Sequence, residues 1–163
     1  MSGKKVKRAV KGNRSIEFEE LKLLQPGVSW SPDGKKIVIA AKAGSKDAFH
    51  IINTRNGDSK KIPFDLEGVF TPKWSPDGMR LAFVGNKNSA SDIYTIDLNT
   101  NEIVNLTSDI FSDSEPSWHP SSSKLLFVSD RGTKIDRVPT TAVDMIDHNF
   151  EQNNIYSIDI NTK

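Results

Sequence analysis

An all-β chain built from repeated four-stranded antiparallel units is what the sequence predicts, and three observations carry that prediction. Tryptophan recurs at positions 30, 74 and 118, a constant step of 44 residues. Each one opens a related phrase, Trp-Ser-Pro-Asp-Gly at 30–34 and 74–78 and Trp-His-Pro-Ser-Ser at 118–122. Behind each phrase stands a short apolar run, at 37–40, 81–84 and 125–128. Runs this short and this rich in branched and aromatic side chains favour a buried strand over a helical turn. Repetition at this period marks one supersecondary unit used several times, and four antiparallel strands per unit describe a propeller blade. Helical repeats of similar period need runs of about ten residues with apolar spacing of three and four, and the units contain none.

In chain order, residues 1–15 form a basic lead-in or linker, because Lys4, Lys5, Lys7, Arg8, Lys11 and Arg14 stand there without an acid among them. Without those six the chain holds 16 basic against 21 acidic residues. Residues 16–24 carry the alternation of an outer strand, Phe18 to Leu24, placed to complete a blade made mostly of C-terminal sequence. The first blade spans about 28–63. Its turn, Ser31-Pro32-Asp33-Gly34, uses proline to preset φ, aspartate to cap its own backbone and glycine for a positive φ. Third and fourth strands follow at 49–53 and 60–63. The second blade, about 71–107, repeats the plan with strands at 93–97 and 103–107. The third, about 115–163, keeps Pro120 but lacks the Asp-Gly pair, which predicts a looser hairpin. Tyr94 follows its Trp by 20 residues and Tyr156 by 38, so the third blade carries an 18-residue insertion within 132–153. Each recurring Trp is expected to pack between neighbouring blades.

Enzymatic signatures are missing. There is no Gly-x-Ser-x-Gly elbow, no His-Glu-x-x-His pair and no phosphate-binding glycine loop, and Cys is absent. His50, His119 and His148 stand far apart, and two of them fill repeat positions held elsewhere by Tyr94 and Ser75. The chain is therefore read as non-catalytic, without metal or cofactor. Asp109, Asp113 and Glu115, with the insertion's Asp136, Asp144, Asp147 and Glu151, lack the spacing of a calcium loop and read as an acidic rim. An acidic body repels phosphate and the basic arm has no stacking residues, which argues against nucleic acid as a partner. No apolar run reaches the length of a membrane span, and the N-terminus lacks the apolar stretch of a secretory signal.

A protein partner is the remaining expectation. Insertions in repeat proteins commonly mark a binding face. Arg137, Met145 and Phe150 of the insertion supply an apolar centre with a charged rim, and Asp113, Glu115 and Arg131 adjoin it. Ser129-Asp130-Arg131 has two readings: Arg131 aimed at a partner carboxylate, or Asp130 and Arg131 closing their own strand through hydrogen bonds and an ion pair. Rings use about 4–8 blades, so three belong either to a longer propeller or to a homodimer of six blades in which each copy lends its N-terminal strand to the other.

The phrases Pro72-Lys73-Trp74-Ser75-Pro76-Asp77-Gly78, Asp92-Ile93-Tyr94, Asn105-Leu106-Thr107 and Ser129-Asp130-Arg131 resemble the repeat of TolB-type propellers, over roughly residues 18–163. His119, the missing Asp-Gly and the insertion depart from that pattern. The resemblance implies a periplasmic scaffold of the bacterial envelope whose partner is a peptidoglycan-associated lipoprotein. Related blades also occur in prolyl oligopeptidase-like serine peptidases, which implies the alternative of a substrate-gating propeller whose catalytic domain lies elsewhere.

Overall fold

The structure is a computed structural model that describes residues 20–21, 27–43, 46–132 and 153–162. These form three antiparallel sheets in sequence order. The first holds β1 (Glu20–Leu21), β2 (Val28–Trp30), β3 (Lys36–Ala43), β4 (Lys46–Asn53) and β5 (Ser59–Pro63). The second holds β6 (Gly68–Trp74), β7 (Arg80–Lys87), β8 (Ala90–Asp97) and β9 (Ile103–Asn105), and the third holds β10 (Asp113–Trp118), β11 (Lys124–Ser129) and β12 (Asn154–Asp159). Each is a propeller blade, and the register repeats from blade to blade. Trp30 faces Ile37, Trp74 faces Leu81 and Trp118 faces Leu125 on the neighbouring strand.

The turn after each Trp is built alike in all three blades. The residue following Trp donates its N–H to a carbonyl five residues on, at 2.9 Å in each case: Ser31 to Lys36, Ser75 to Arg80 and His119 to Lys124. A side-chain bridge stiffens it, Ser31 to Asp33 and Ser75 to Asp77 at 2.6 Å. The third hairpin is not looser, contrary to the expectation from its missing Asp-Gly. His119 Nδ1 and Ser121 Oγ reproduce the bridge at 2.7 Å, and Ser122 takes the positive φ of 58° that Gly34 and Gly78 take at 68° and 77°.

A second irregularity also recurs at the 44-residue step. Gly27, Thr71 and Glu115 have φ of 45°, 45° and 52°, and the ladder slips at this point in both β6 and β10. A bulge here re-aims the inner strand. In the first blade the position is glycine because a Cβ would come within 2.5 Å of the Thr71 Cα. Of the predicted outer strand 16–24, the described residues include Glu20 and Leu21. They pair with Lys42 and Ala41 of β3, on the inner side of their own blade, and do not extend the third. They continue the line of β2 along β3, as the first half of β6 does along β7, so local pairing satisfies these backbone groups.

The core lies between the blades. Val38, Ala40, Phe49, Ile51 and Ile62 of the first pack against Leu81, Phe83, Tyr94 and Ile96 of the second. Phe83 is enclosed by Phe49 at 5.1 Å, Phe64 at 5.0 Å and Tyr94 at 5.5 Å between ring centroids. The second junction joins Ala82, Val84 and Ile93 to Leu125 and Phe127. Trp74 and Trp118 pack against these two clusters, and the Trp118 indole donates to the Lys73 carbonyl at 2.9 Å. Trp30 departs from that pattern, being 58% exposed on the face of the first blade turned away from the second.

Candidate functional site

Loops at one end of the second junction gather most of the buried charge. The β7–β8 hairpin turns through Asn88 and Ser89, both at positive φ, 52° and 66°, the geometry that matches the twist of paired strands. Opposite it, the loop from β9 to β10 is wound by its own polar side chains. Asn105 Oδ1 accepts from the N–H of Thr107 and Ser108, and Asp109 Oδ1 accepts from Phe111 N–H at 2.9 Å. Phe111, buried at 1% exposure, anchors the loop. Asp92 on β8 ties it down, accepting from Asn105 Nδ2 at 2.8 Å and Thr107 Oγ1 at 3.3 Å. Asp130 does the same from the far side, accepting Ser112 N–H at 2.9 Å.

These ties bring carboxylate oxygens of Asp92, Asp109 and Asp113 within 4.8 Å of one another. Arg131, just past β11, supplies the opposing charge. Its Nη2 donates to both oxygens of Asp113 at 2.8 Å, its Nη1 lies 3.2 Å from Asp109 Oδ2, and its Nε donates to Ser129 Oγ at 2.8 Å. The guanidinium also lies 5.6 Å from the Phe111 ring, 5.1 Å from Phe127 and 5.3 Å from Tyr156. Tyr156 closes the cage by donating its hydroxyl to the Gly132 carbonyl. Arginine suits this place because its planar fork binds carboxylates and stacks on rings at once, which a lysine ammonium cannot do.

One guanidinium does not balance three carboxylates. Burial pushes the Asp109 carboxyl up to about 6, against the Phe111 N–H and Arg131, with Asp113 and Asp92 adding repulsion. Asp113 is also raised by burial, opposed by hydrogen bonds from Ser129, Thr107 and Arg131. A carboxyl whose folded-state value exceeds its unfolded one destabilises the fold when ionised. Stability from Asp109 is therefore present below about pH 4 and is lost as pH rises through about 6. Relative to an Asp109→Asn variant, the wild-type chain should lose about 1–2 kcal/mol between pH 4 and 7, allowing for solvent screening. Urea midpoints of both proteins across that range measure this, and parallel curves would contradict it.

Beside the cage lies a groove of about 590 Å³, between the Lys87–Ala90 hairpin and the Asn105, Ser108 and Asp109 side of the loop, and lined also by Asp92 and Tyr94. That volume is in the range of ligand sites. The two described histidines lie elsewhere: His50 is buried beside Ser59 in the first blade, and His119 is held in its turn. Neither of them reaches the groove.

Of the predicted binding residues, Asp113 and Arg131 meet, and they meet each other. Arg131 is closed in by its own chain, its ion pairs running to Asp109 and Asp113 while Asp130 holds Ser112. Glu115 is exposed on the bulge of β10, apart from the cage. Arg137, Met145 and Phe150 lie outside the described residues. Asp92, Tyr94 and Lys87 were not predicted as site residues. The available signal was Asp92-Ile93-Tyr94 standing 13 residues before Asn105-Leu106-Thr107, two polar ends of adjacent strands.

The profile described as TolB beta propeller domain matches residues 14–137. The chain belongs to the TolB β-propeller family. TolB from Acinetobacter baumannii superimposes with a TM-score of 0.63 at 26% identity, over 82% of this chain and 29% of that one. A protein assigned as TolB in Agrobacterium tumefaciens gives 0.62 at 19% identity, over 81% and 44%. The β-propeller domain of the trilobed protease from Pyrococcus furiosus, which has an open velcro topology, gives 0.57 at 19%, over 85% and 41%. The TolB-family chain thus spans less than half the length of each of these structures. No match was found among curated proteins. Among the described residues no helix is long and apolar enough to cross a membrane.

Proposed function

We propose that this TolB-family chain is a non-catalytic, protein-binding scaffold of the bacterial periplasm whose partner is an envelope protein, a lipoprotein by analogy with the family. The observation that carries the reading is the Arg131 cage. It fixes the β9–β10 loop to the third blade, beside a polar groove that the β7–β8 hairpin lines from the other side. Rigid loops on a sheet scaffold are a common way to present a binding surface. The insertion at 132–153 follows directly from Arg131 in sequence and is the second element the test below removes.

Affinity capture from envelope extract tests this, using the intact chain, a chain lacking residues 133–152 and a Lys87→Glu variant in the groove. The reading expects one captured protein that is lost with the deletion and reduced by the charge reversal, while thermal unfolding stays cooperative. Equal capture by all three sinks it. A Gly-x-Ser-x-Gly elbow encoded in the same reading frame would instead make these blades the substrate-gating propeller of a serine peptidase.

A further inference from the structure

We propose that the cleft between the first and second blades, at the end of β7 away from the groove beside the cage, is a separate contact site that takes an acidic segment of a partner protein carrying an apolar side chain. The cleft has a volume of about 420 Å³ and lies among the turns that follow β4, β6 and β8. Gly78, just before β7, lines this cleft, whereas Lys87, at the end of β7, lines the groove. Ile51, Trp74 and Leu98 form its apolar part. The Trp74 ring is pinned across its turn, its indole N–H donating to the Gly78 carbonyl at 3.1 Å. Lys36 and Lys60, both exposed, line the cleft as well.

The second junction repeats this geometry and shows which charges the blades themselves require. There Arg80 faces Asp97 across the strand pair, with Nε 3.9 Å from Oδ2. In the first junction the facing pair is Lys36 and Asn53. Lys60 stands opposite Ile51, and at the same place in the second blade Val104 stands opposite Thr95. From the second junction to the first, a carboxylate is thus exchanged for an amide and an apolar side chain for an ammonium, both toward positive charge. The strands pair alike in the two blades, so neither lysine is required by the ladder.

Among the described residues neither ammonium lies within ion-pair distance of a carboxylate. Asp58 is the acid on the rim of the cleft, and its Oδ2 already accepts from Asn56 Nδ2 at 2.6 Å. Two ammonium groups above an apolar floor complement a carboxylate next to an apolar side chain, and the volume suits a short extended segment. The site lies inside the junction of two complete blades, so further blades at either end of the chain would leave it open.

Retention of two pools of blocked tetrapeptides on the immobilised full chain tests the proposal. In one pool each peptide holds two Asp or Glu and two Leu, Ile or Phe; in the other, Asn or Gln replaces the acids. The acidic pool should be retained about fivefold more strongly or better, less so as salt rises, and in solution it should shift the indole N–H resonance of Trp74. Lys36→Gln combined with Lys60→Gln should weaken retention about tenfold. Asn53→Asp installs the second junction's own counter-charge and keeps the acceptor for the Arg55 N–H, so it should weaken retention about threefold with both lysines in place. Lys61→Gln, on the same strand but outside the cleft, should leave retention unchanged. Equal retention of the two pools overturns the proposal. So does a loss with Lys61→Gln as large as with the double variant, which would mean attraction to overall charge. Full displacement of the acidic pool by inorganic phosphate at equal concentration also overturns it, because the apolar floor would then play no part.

Discussion

Replacing Phe83 with alanine is expected to destabilise the chain by about 3–5 kcal/mol, a large part of the 5–15 kcal/mol typical of a domain. Phe83 belongs to the second blade but is wholly buried against the first, with Phe49, Phe64 and Tyr94 around it. Removing the ring forfeits its transfer from water and leaves a cavity between two sheets that are each held by their own ladders, so the space cannot collapse easily. At about 2–4 °C per kcal/mol, the melting temperature should drop by roughly 6–20 °C. Trp30→Ala supplies the control. It removes a residue from the same repeat as Trp74, yet at 58% exposure it should change stability by less than about 0.5 kcal/mol. Urea unfolding of both variants decides the matter, and equal losses would show that the blades are not stabilised at their junctions.

Much of this architecture could be read from the sequence because the repeat encodes both strand and turn. A Trp whose backbone faces a branched residue seven positions on is a local instruction, and it is obeyed in all three blades. The third turn departs from its expected looseness because Asp-Gly is not necessary. What the fold needs there is a side-chain bridge and a residue at positive φ, and His119, Ser121 and Ser122 supply both. Glu115 recurs with Gly27 and Thr71 at the bulge, a backbone role that its charge does not announce. The pairing of Glu20 and Leu21 with β3 depends on which of two available edges lies closer, and alternation within a strand does not carry that information.

The candidate site was half legible for a similar reason. Asp113 and Arg131 stood out as charges near the insertion, but their partnership crosses 18 residues and depends on how β10 lies against β11. Asp92 contributes from another blade, at a position where sequence shows only a polar strand start. Local chemistry predicts which residues cap a turn. It does not predict which carboxylates from two blades will gather beside one guanidinium.

Arg131→Met should cost about 3–5 kcal/mol, because it keeps much of the side-chain bulk while leaving buried carboxylates without their cation. Asp113 has no exposed surface and the Asp109 side chain has 5%. Both would take up protons more readily than in the wild type, so the penalty should grow as pH rises from about 4 to 7, where holding them ionised becomes harder. Arg131→Lys retains charge but loses the fork on Asp113 and the packing against Phe111, Phe127 and Tyr156, and an intermediate loss is expected. Adding Asp113→Asn to Arg131→Met removes one stranded charge, so the double variant should be more stable than the sum of the single losses predicts. Denaturant midpoints at pH 4.5 and 7 for the wild type, Arg131→Met, Arg131→Lys, Asp113→Asn and the double variant test the scheme. Additive losses independent of pH would mean that Arg131 acts through its hydrocarbon stem alone, and the cage would then have no electrostatic part in holding the β9–β10 loop beside the groove.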